Sequence, residues 1–476
     1  MSFQFLKRFS SNTDTSSLLF SNTDLLNLIW PLIIEQLLNI TLGIADIMMV
    51  ASLGEAAVSG VSLVDAVMVL VIQVFAALGT GGAVVASQYV GKKDEKLAGE
   101  TAKQLLYSLI IISVFLVVLG FLSRSWILSV IFGSIEADVY AASQKYFVWT
   151  LFSLPGIALY SGCAALFRAQ GNSYVSMLIS VLINILNISG NAFFLFHLHW
   201  GVEGVALPTL ISRLIAASVL IVLLYGAKEY HGRTAVSIKG VGHVRLNFRI
   251  IRKILYVGIP SGLENGVFQI GKILVLSIVS SYGTSAIAAN AGGNTMAMLE
   301  TLPGSACGLA ILTVVGQCIG AGRQKEAVYF TKKITATAYV SVFIINIPIL
   351  LFCSKILSFY GMSQETTRLA WLMSVSHSCF SIFIWPLAFA FPNALRAAGD
   401  TAYTMTVSIL SMWILRIGFS YVFKWTGIFG LVEFMNWPSS FGALCVWYAM
   451  ILDWLMRSFL FVRRFSKGKW KERKLI

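Results

Sequence analysis

The sequence predicts an all-α integral membrane protein: twelve transmembrane helices in two pseudo-symmetric six-helix bundles. Three observations predict it: a scarcity of charge, apolar runs of membrane-crossing length, and a repeat that divides the chain in half. Of its 476 residues, 57% are hydrophobic and 12% are charged, and the mean hydropathy is +0.80. A soluble domain carries about 25% charged residues, so this chain has too few charges to coat a water-facing surface of its size.

The apolar residues fall in runs of about twenty or more, the length needed to cross about 30 Å of hydrocarbon. Runs at 25–50, 56–89, 103–123, 139–163, 174–197 and 203–226 predict the first six spans. Those at 253–281, 285–319, 333–353, 367–394, 402–424 and 441–462 predict the second six. Lipid offers an open backbone no hydrogen bonds, and the runs are too long for barrel strands, so each is expected to be helical.

Charge placement sets the predicted topology. Of 35 Lys and Arg, 26 fall in the tails and on the connections that share one side, among them Arg168 and Arg396. The opposite connections hold only Arg124, Lys145, Lys355, Arg368 and Lys424. This asymmetry predicts a cell-membrane protein with both termini in the cytoplasm. It also explains the net charge of +14 without nucleic acid as a partner. The basic stretch 228–253 and the tail KGKWKERKLI read as solvated, topology-setting charge. The first twenty residues, polar and rich in Ser, Thr and Asn, do not read as a targeting peptide. Six cysteines without Cys-x-x-Cys spacing give no zinc or redox motif. The Gly-rich LGTGGAVVASQYVG lies inside an apolar run with no strand before it and reads as close helix packing, not a phosphate loop.

The repeat is explicit. Pro31 and Pro260, Glu35 and Glu264, Gly79 and Gly308, Gln88 and Gln317, and Gly91 and Gly320 all keep an offset of 229, and FRAQGN at 167–172 returns as LRAAGD at 395–400. The predicted organisation is a tail (1–23), a six-helix lobe (24–226), a polar linker (227–252), a second lobe (253–462) and a basic tail (463–476). Both halves begin on the same side, so the repeats are parallel. Parallel repeats of this kind place a binding site between halves that rock against each other, although channels are also built from repeats.

Ionisable residues inside the spans carry the functional reading, because each costs about 2.5–3.5 kcal/mol or more at the membrane centre. On the first span, Glu35 and Asp46 lie eleven residues apart, within about 20° of one face and about 16 Å apart along the axis. They are expected to line one cavity. Asn187 and Asn191, at i and i+4, share a face of the fifth span. The second half holds Glu264, Lys272, Glu300, His377 and Arg416. These form either a substrate cavity or a polar cluster in which Lys272 or Arg416 neutralises Glu264. His377 reads as a helix contact rather than a proton switch, Asp65 as a cleft residue, and Asp453 with Arg457 as an i, i+4 pair. Aromatic residues are 13% of the chain, and a minority are expected to hold flat cations by cation–π attraction.

The stretches WPLIIEQLLNITLGIADIMMVASLG, SQYVGKKDEKLA, FRAQGN and GVEGVALPTLISR resemble the multidrug and toxic compound extrusion (MATE) transporters, bacterial members included. GIPSGLENGVFQIGK, QCIGAGRQKEA and LRAAGDT match the second half of that pattern, and the likeness runs over roughly 24–460. The resemblance implies antiport of amphipathic organic cations or drugs against protons or sodium ions, with no cofactor and with membrane lipids around a monomer. It places a cation-coupling site on Asp46, Asn187, Asn191 and Thr209, with sodium held by Asp46, Asn187 and Asn191. An acid stands at position 191 in some members, so Asn191 leaves the coupling ion open between sodium and a proton. A second family site, on the seventh and tenth helices, falls on Phe268 and Trp385 and is not reproduced. Two rival readings stand beside export: a flippase of lipid-linked saccharides, for which Lys272 and Arg416 speak, and a membrane-embedded enzyme, against which the lack of a catalytic constellation speaks.

Overall fold

The computed structural model describes residues 18–133, 136–227, 234–358, 361–426, 434–435 and 437–476. Lys7, Arg8, Lys228 and Arg233, counted above among the flanking charges, lie outside these residues. Among the described residues eleven helices are long and apolar enough to cross a membrane, and a pair bent by 45° makes a twelfth span. The first six spans are α1 (Asn22–Ala51), α2 (Glu55–Gly91), α3 (Glu95–Phe132), α4 (the bent pair Ala137–Phe152 and Leu154–Ala169), α5 (Ser173–His197) and α6 (Glu203–Tyr225). The second six are α7 (Phe248–Ser280), α8 (Thr284–Gly320), α9 (Gln324–Ser358), α10 (Gln364–Ala397), α11 (Thr401–Trp425) and α12 (Ser439–Ser466).

Twelve predicted runs thus become twelve spans. The largest differences in length are at α3 and α9, with 38 and 35 residues. At 1.5 Å per residue these helices outreach the hydrocarbon layer, and their extra N-terminal turns, EKLAGETA and QKEAVYFTK, are polar, so hydropathy alone starts them late. Asp94, Asn172, Asn247 and Ser363 cap α3, α5, α7 and α10 by accepting from backbone amides of the first turn. The bend in α4 sits at Ser153, two residues before Pro155, whose ring and missing amide interrupt the helical ladder. Single π-helical turns interrupt α10 at Pro386–Ala390 and α11 at Met412–Gly418.

Each six-helix bundle has its own apolar core. The first gathers Val64, Phe75, Leu105, Leu109, Phe147 and Leu166; the second gathers Ile311, Phe330, Leu369, Met373, Leu395 and Trp447. The bundles exchange their leading turns. Leu25, Leu28 and Leu32 of α1 pack into the second core, and Ile250, Ile254 and Val257 of α7 pack into the first.

A symmetric clasp closes the lobes at the basic end. Gln88 donates its amide to the Ala397 carbonyl at 2.7 Å, and its repeat mate Gln317 donates to the Ala169 carbonyl at 2.7 Å. Beside them a Cβ on Gly91 would overlap the backbone of Gln317, and one on Gly320 would overlap the backbone of Gln88. Only glycine lets α2 and α8 approach this closely. The motif glycines Gly171 and Gly399 have another use: both have positive φ, +87° and +82°, and turn the chain out of α4 and α10.

The basic segments, expected as solvated charge, are also docked by apolar residues. Val236 and Ile238 are fully buried in the first core, and Tyr107 donates to the Val241 carbonyl at 2.7 Å. Trp470 is buried and stacks on Phe465 with centroids 5.0 Å apart, while Leu475 and Ile476 pack on the first core. A few apolar residues anchor each segment, while Lys239, Arg245, Arg249 and Arg252 of the first and Lys467, Lys469, Lys471, Arg473 and Lys474 of the second are exposed.

Candidate ion and substrate sites

In the first lobe the four positions expected to bind a cation form one hydrogen-bonded chain. Asn187 donates to the Thr209 hydroxyl at 2.8 Å, and Thr209 in turn donates to the Val205 carbonyl. Asn191 donates to the Asn187 amide oxygen at 3.1 Å and to the Asp46 carboxylate at 2.7 Å. The i, i+4 spacing on α5 aligns the two amides, and α1 and α6 supply the ends. Asn191 is fully buried, and its amide oxygen has no hydrogen-bond partner. Such an orphaned acceptor beside a carboxylate suits a small hard cation or a proton.

Sequence reading missed the base in this site. Arg213 donates to the Ser153 hydroxyl at 2.7 Å and lies within Coulombic reach of both Asp46 and Asp65. Tyr146 donates to Asp65 at 3.3 Å. The signal was available: Arg213 follows Thr209 by four residues, one turn along the same face. With both acids ionised, two carboxylates face one guanidinium, and one negative charge is left over.

The two acids of α1 do not share a cavity. Glu35, unlike Asp46, lines a space of about 240 Å³ with Gln36, Asn39, Thr80, Tyr160 and Arg168. Its carboxylate accepts from Arg168 at 2.7 Å and from Ser176 at 2.7 Å. The repeat reproduces the pair in the second lobe, where Glu264 accepts from Arg396 at 2.7 Å. The expectation that Lys272 or Arg416 neutralises Glu264 is therefore wrong. Arg168 and Arg396, counted as loop charges, turn inward from the ends of α4 and α10 because the motif glycines stop the helix three residues later.

The expected second-lobe polar set separates into three groups. Glu264 and Arg396 line a cavity of about 330 Å³ with Thr80, Asn265, Phe268, Ser305, Trp385, Phe389, Asn393 and Arg457. Glu300 is fully buried away from this cavity, pairing with His377 Nδ1 and accepting from Ser378 at 2.5 Å. The His377 ring meets Trp447 and Trp454 edge-on, a helix contact as expected. Lys272 and Arg416 form the third group, around Phe268. Arg457 Nε donates to Asp453 at 2.7 Å, the pair expected from spacing. Among the described residues no three His, Cys, Asp or Glu side chains converge as a metal-binding group.

Twelve spans form two lobes, with a Glu–Arg pair repeated in each and polar sites within them. The MatE family model matches residues 31–193 and again residues 260–422, and the chain belongs to that family. It is 25% identical over 457 residues to a probable multidrug resistance protein NorM of Thermotoga maritima, covering 95% of this chain and 94% of that one. It is 26% identical over 457 residues to an uncharacterized transporter, YisQ, of Bacillus subtilis, covering 94% of each. A solved structure described as the outward-facing conformation of a multidrug resistance MATE family transporter of the MOP superfamily superposes with a TM-score of 0.84. That likeness has 20% identity and covers 97% of this chain and all of the other. A crystal structure of MATE in complex with MaD3S gives 0.83 at 19% identity, covering 96% and 100%. At these identities the likeness is one of fold, the two-lobed arrangement of twelve helices.

Proposed function

We propose that the chain exports amphipathic organic cations and drugs by antiport against protons or sodium ions, with the two lobes alternating access. The observation that carries this reading is the Asp46–Asn191–Asn187–Thr209 chain, whose charge balance with Asp65 and Arg213 leaves room for one proton or one monovalent cation. A proton on Asp46, or a cation bound to it, balances its charge and competes with Asn191 for the carboxylate oxygens. Occupancy therefore has a different free energy in the two arrangements of α1 against α5, and that difference is what shifts the population. The basic end is assigned to the cytoplasm by its charge. The glutamine clasp then seals the cytoplasmic side, and a driving cation entering from outside favours its release. The multidrug names of the NorM relatives support drugs as cargo.

Uptake of a fluorescent cationic dye into inverted vesicles tests the reading, with sodium and proton gradients imposed separately. One gradient is expected to drive accumulation and the other to be without effect. Accumulation that responds to neither would remove antiport.

A further inference from the structure

The second-lobe cavity is bordered by more positive charge than the nearby carboxylates neutralise. Arg396, Arg457 and Glu264 line it, and Lys272 and Arg416 stand beside it at the Phe268 ring, with Asp453 the second acid. Each acid already has its base, Glu264 in Arg396 and Asp453 in Arg457, both at 2.7 Å. Lys272 and Arg416 form no ion pair among the described residues. Both crowd one ring: Lys272 Nζ lies 5.2 Å from the Phe268 centroid, Arg416 Cζ 5.6 Å and Arg457 Cζ 5.7 Å. Phe268 is itself a wall of the 330 Å³ cavity.

Arg416 is the sharper observation. It is 9% exposed, and its buried Nε has no hydrogen-bond partner. A guanidinium in that state loses its hydration without recovering the bonds, and it stands within Coulombic reach of one acid, Asp453, which Arg457 already engages, and of two further cations, Lys272 and Arg457. Cation–π attraction to a shared ring returns only part of that cost. Arg416 also sits on the π-helical turn Met412–Gly418, a distortion found frequently at functional sites.

We propose that Lys272 and Arg416 form an anion-binding subsite, taking the carboxylate or phosphate of an amphiphile whose apolar body lies against Phe268 and Phe389. A guanidinium and an ammonium set around one ring suit two oxygens of one such group. The preferred cargo is then zwitterionic or acid-bearing, its anionic group in the second lobe. This inference rests on the export reading, which it narrows.

Binding to the purified transporter in nanodiscs of neutral phosphatidylcholine tests it, without any ion gradient. The probes are a zwitterionic rhodamine carboxylic acid and its cationic ethyl ester, followed by fluorescence anisotropy. Wild type is expected to bind the acid about tenfold more tightly than the ester, the difference made by one charge-assisted hydrogen bond. Lys272→Gln and Arg416→Gln bring the acid down to the ester's affinity. Lys272 is exposed at the helix surface, so its variant keeps the fold should the arginine variant not. Equal affinity of the two dyes for wild type, or a parallel loss of both in Lys272→Gln, overturns the subsite. Nanodiscs containing phosphatidylglycerol identify the source of the anion. Selective weakening of acid binding in wild type but not in Lys272→Gln assigns the subsite to lipid phosphate as well, and no weakening assigns it to the cargo. Since no gradient is present, a negative result leaves ion-coupled export standing, and failure of vesicle uptake leaves the binding result untouched.

Discussion

Glu264 and Arg396 form a part-buried pair whose members depend on each other, and the same holds for Glu35 and Arg168. Removing one partner of a buried pair costs about 3–5 kcal/mol because the other is left charged and unmatched. Glu264→Gln is therefore expected to lower the melting temperature and to weaken transport of cationic and neutral dyes alike. Glu264→Gln with Arg396→Gln recovers most of the lost stability. Selective loss of cationic dyes from a protein of unchanged melting temperature would instead make Glu264 a cargo ligand. Residue types inside the spans were legible in the sequence, but partners were less so. Asp46, Asn187, Asn191 and Thr209 converge as the resemblance implied. Arg396 went unread as a partner because it sits in a polar motif at a helix end, where hydropathy cannot tell a solvated arginine from an inward one.

The helices themselves were written plainly, because a run of twenty apolar residues has few alternatives in lipid. What hydropathy missed lay where it carries no information: the polar extensions of α3 and α9, the bend at Ser153, and the two basic segments. The tail shows why. Its charge dominates any averaged index, while Trp470 helps fix its position by stacking on Phe465 and donating to the Phe465 carbonyl at 3.0 Å. Trp470→Ala is expected to cost about 3 kcal/mol or more, as for other buried tryptophans, and to free the tail for proteolysis. Lys474→Ala, at an exposed position, leaves both melting temperature and protease resistance unchanged. Equal protease sensitivity of wild type and Trp470→Ala would show that the tail is not docked in solution.

At the scale of the whole molecule the repeat governs everything: lobe, clasp and Glu–Arg pair all occur twice. The offset of 229 was visible in the sequence, whereas the contact between Gln88 and Ala397 was not, since no pattern within one half specifies its neighbour in the other. Two buried hydrogen bonds hold the clasp, each worth about 1 kcal/mol net. Their loss in Gln88→Ala with Gln317→Ala shifts a two-state equilibrium by about thirtyfold. Spin labels at Lys93 and Arg323, read by pulsed electron resonance, are expected to gain a long-distance population in that double variant. An unchanged distance distribution would place the closing energy elsewhere.

The central claim is that the charge on Asp46 couples the driving ion to export. Asp46→Asn preserves the shape of the side chain and removes its charge, so dye binding is expected to stay within about twofold of wild type. The direct measurement is gradient-driven accumulation of a cationic dye in inverted vesicles carrying equal amounts of wild type or Asp46→Asn. The account predicts accumulation in wild type and only gradient-independent equilibration in the variant. Accumulation at the wild-type rate by correctly inserted Asp46→Asn would contradict it and move coupling out of the first-lobe site.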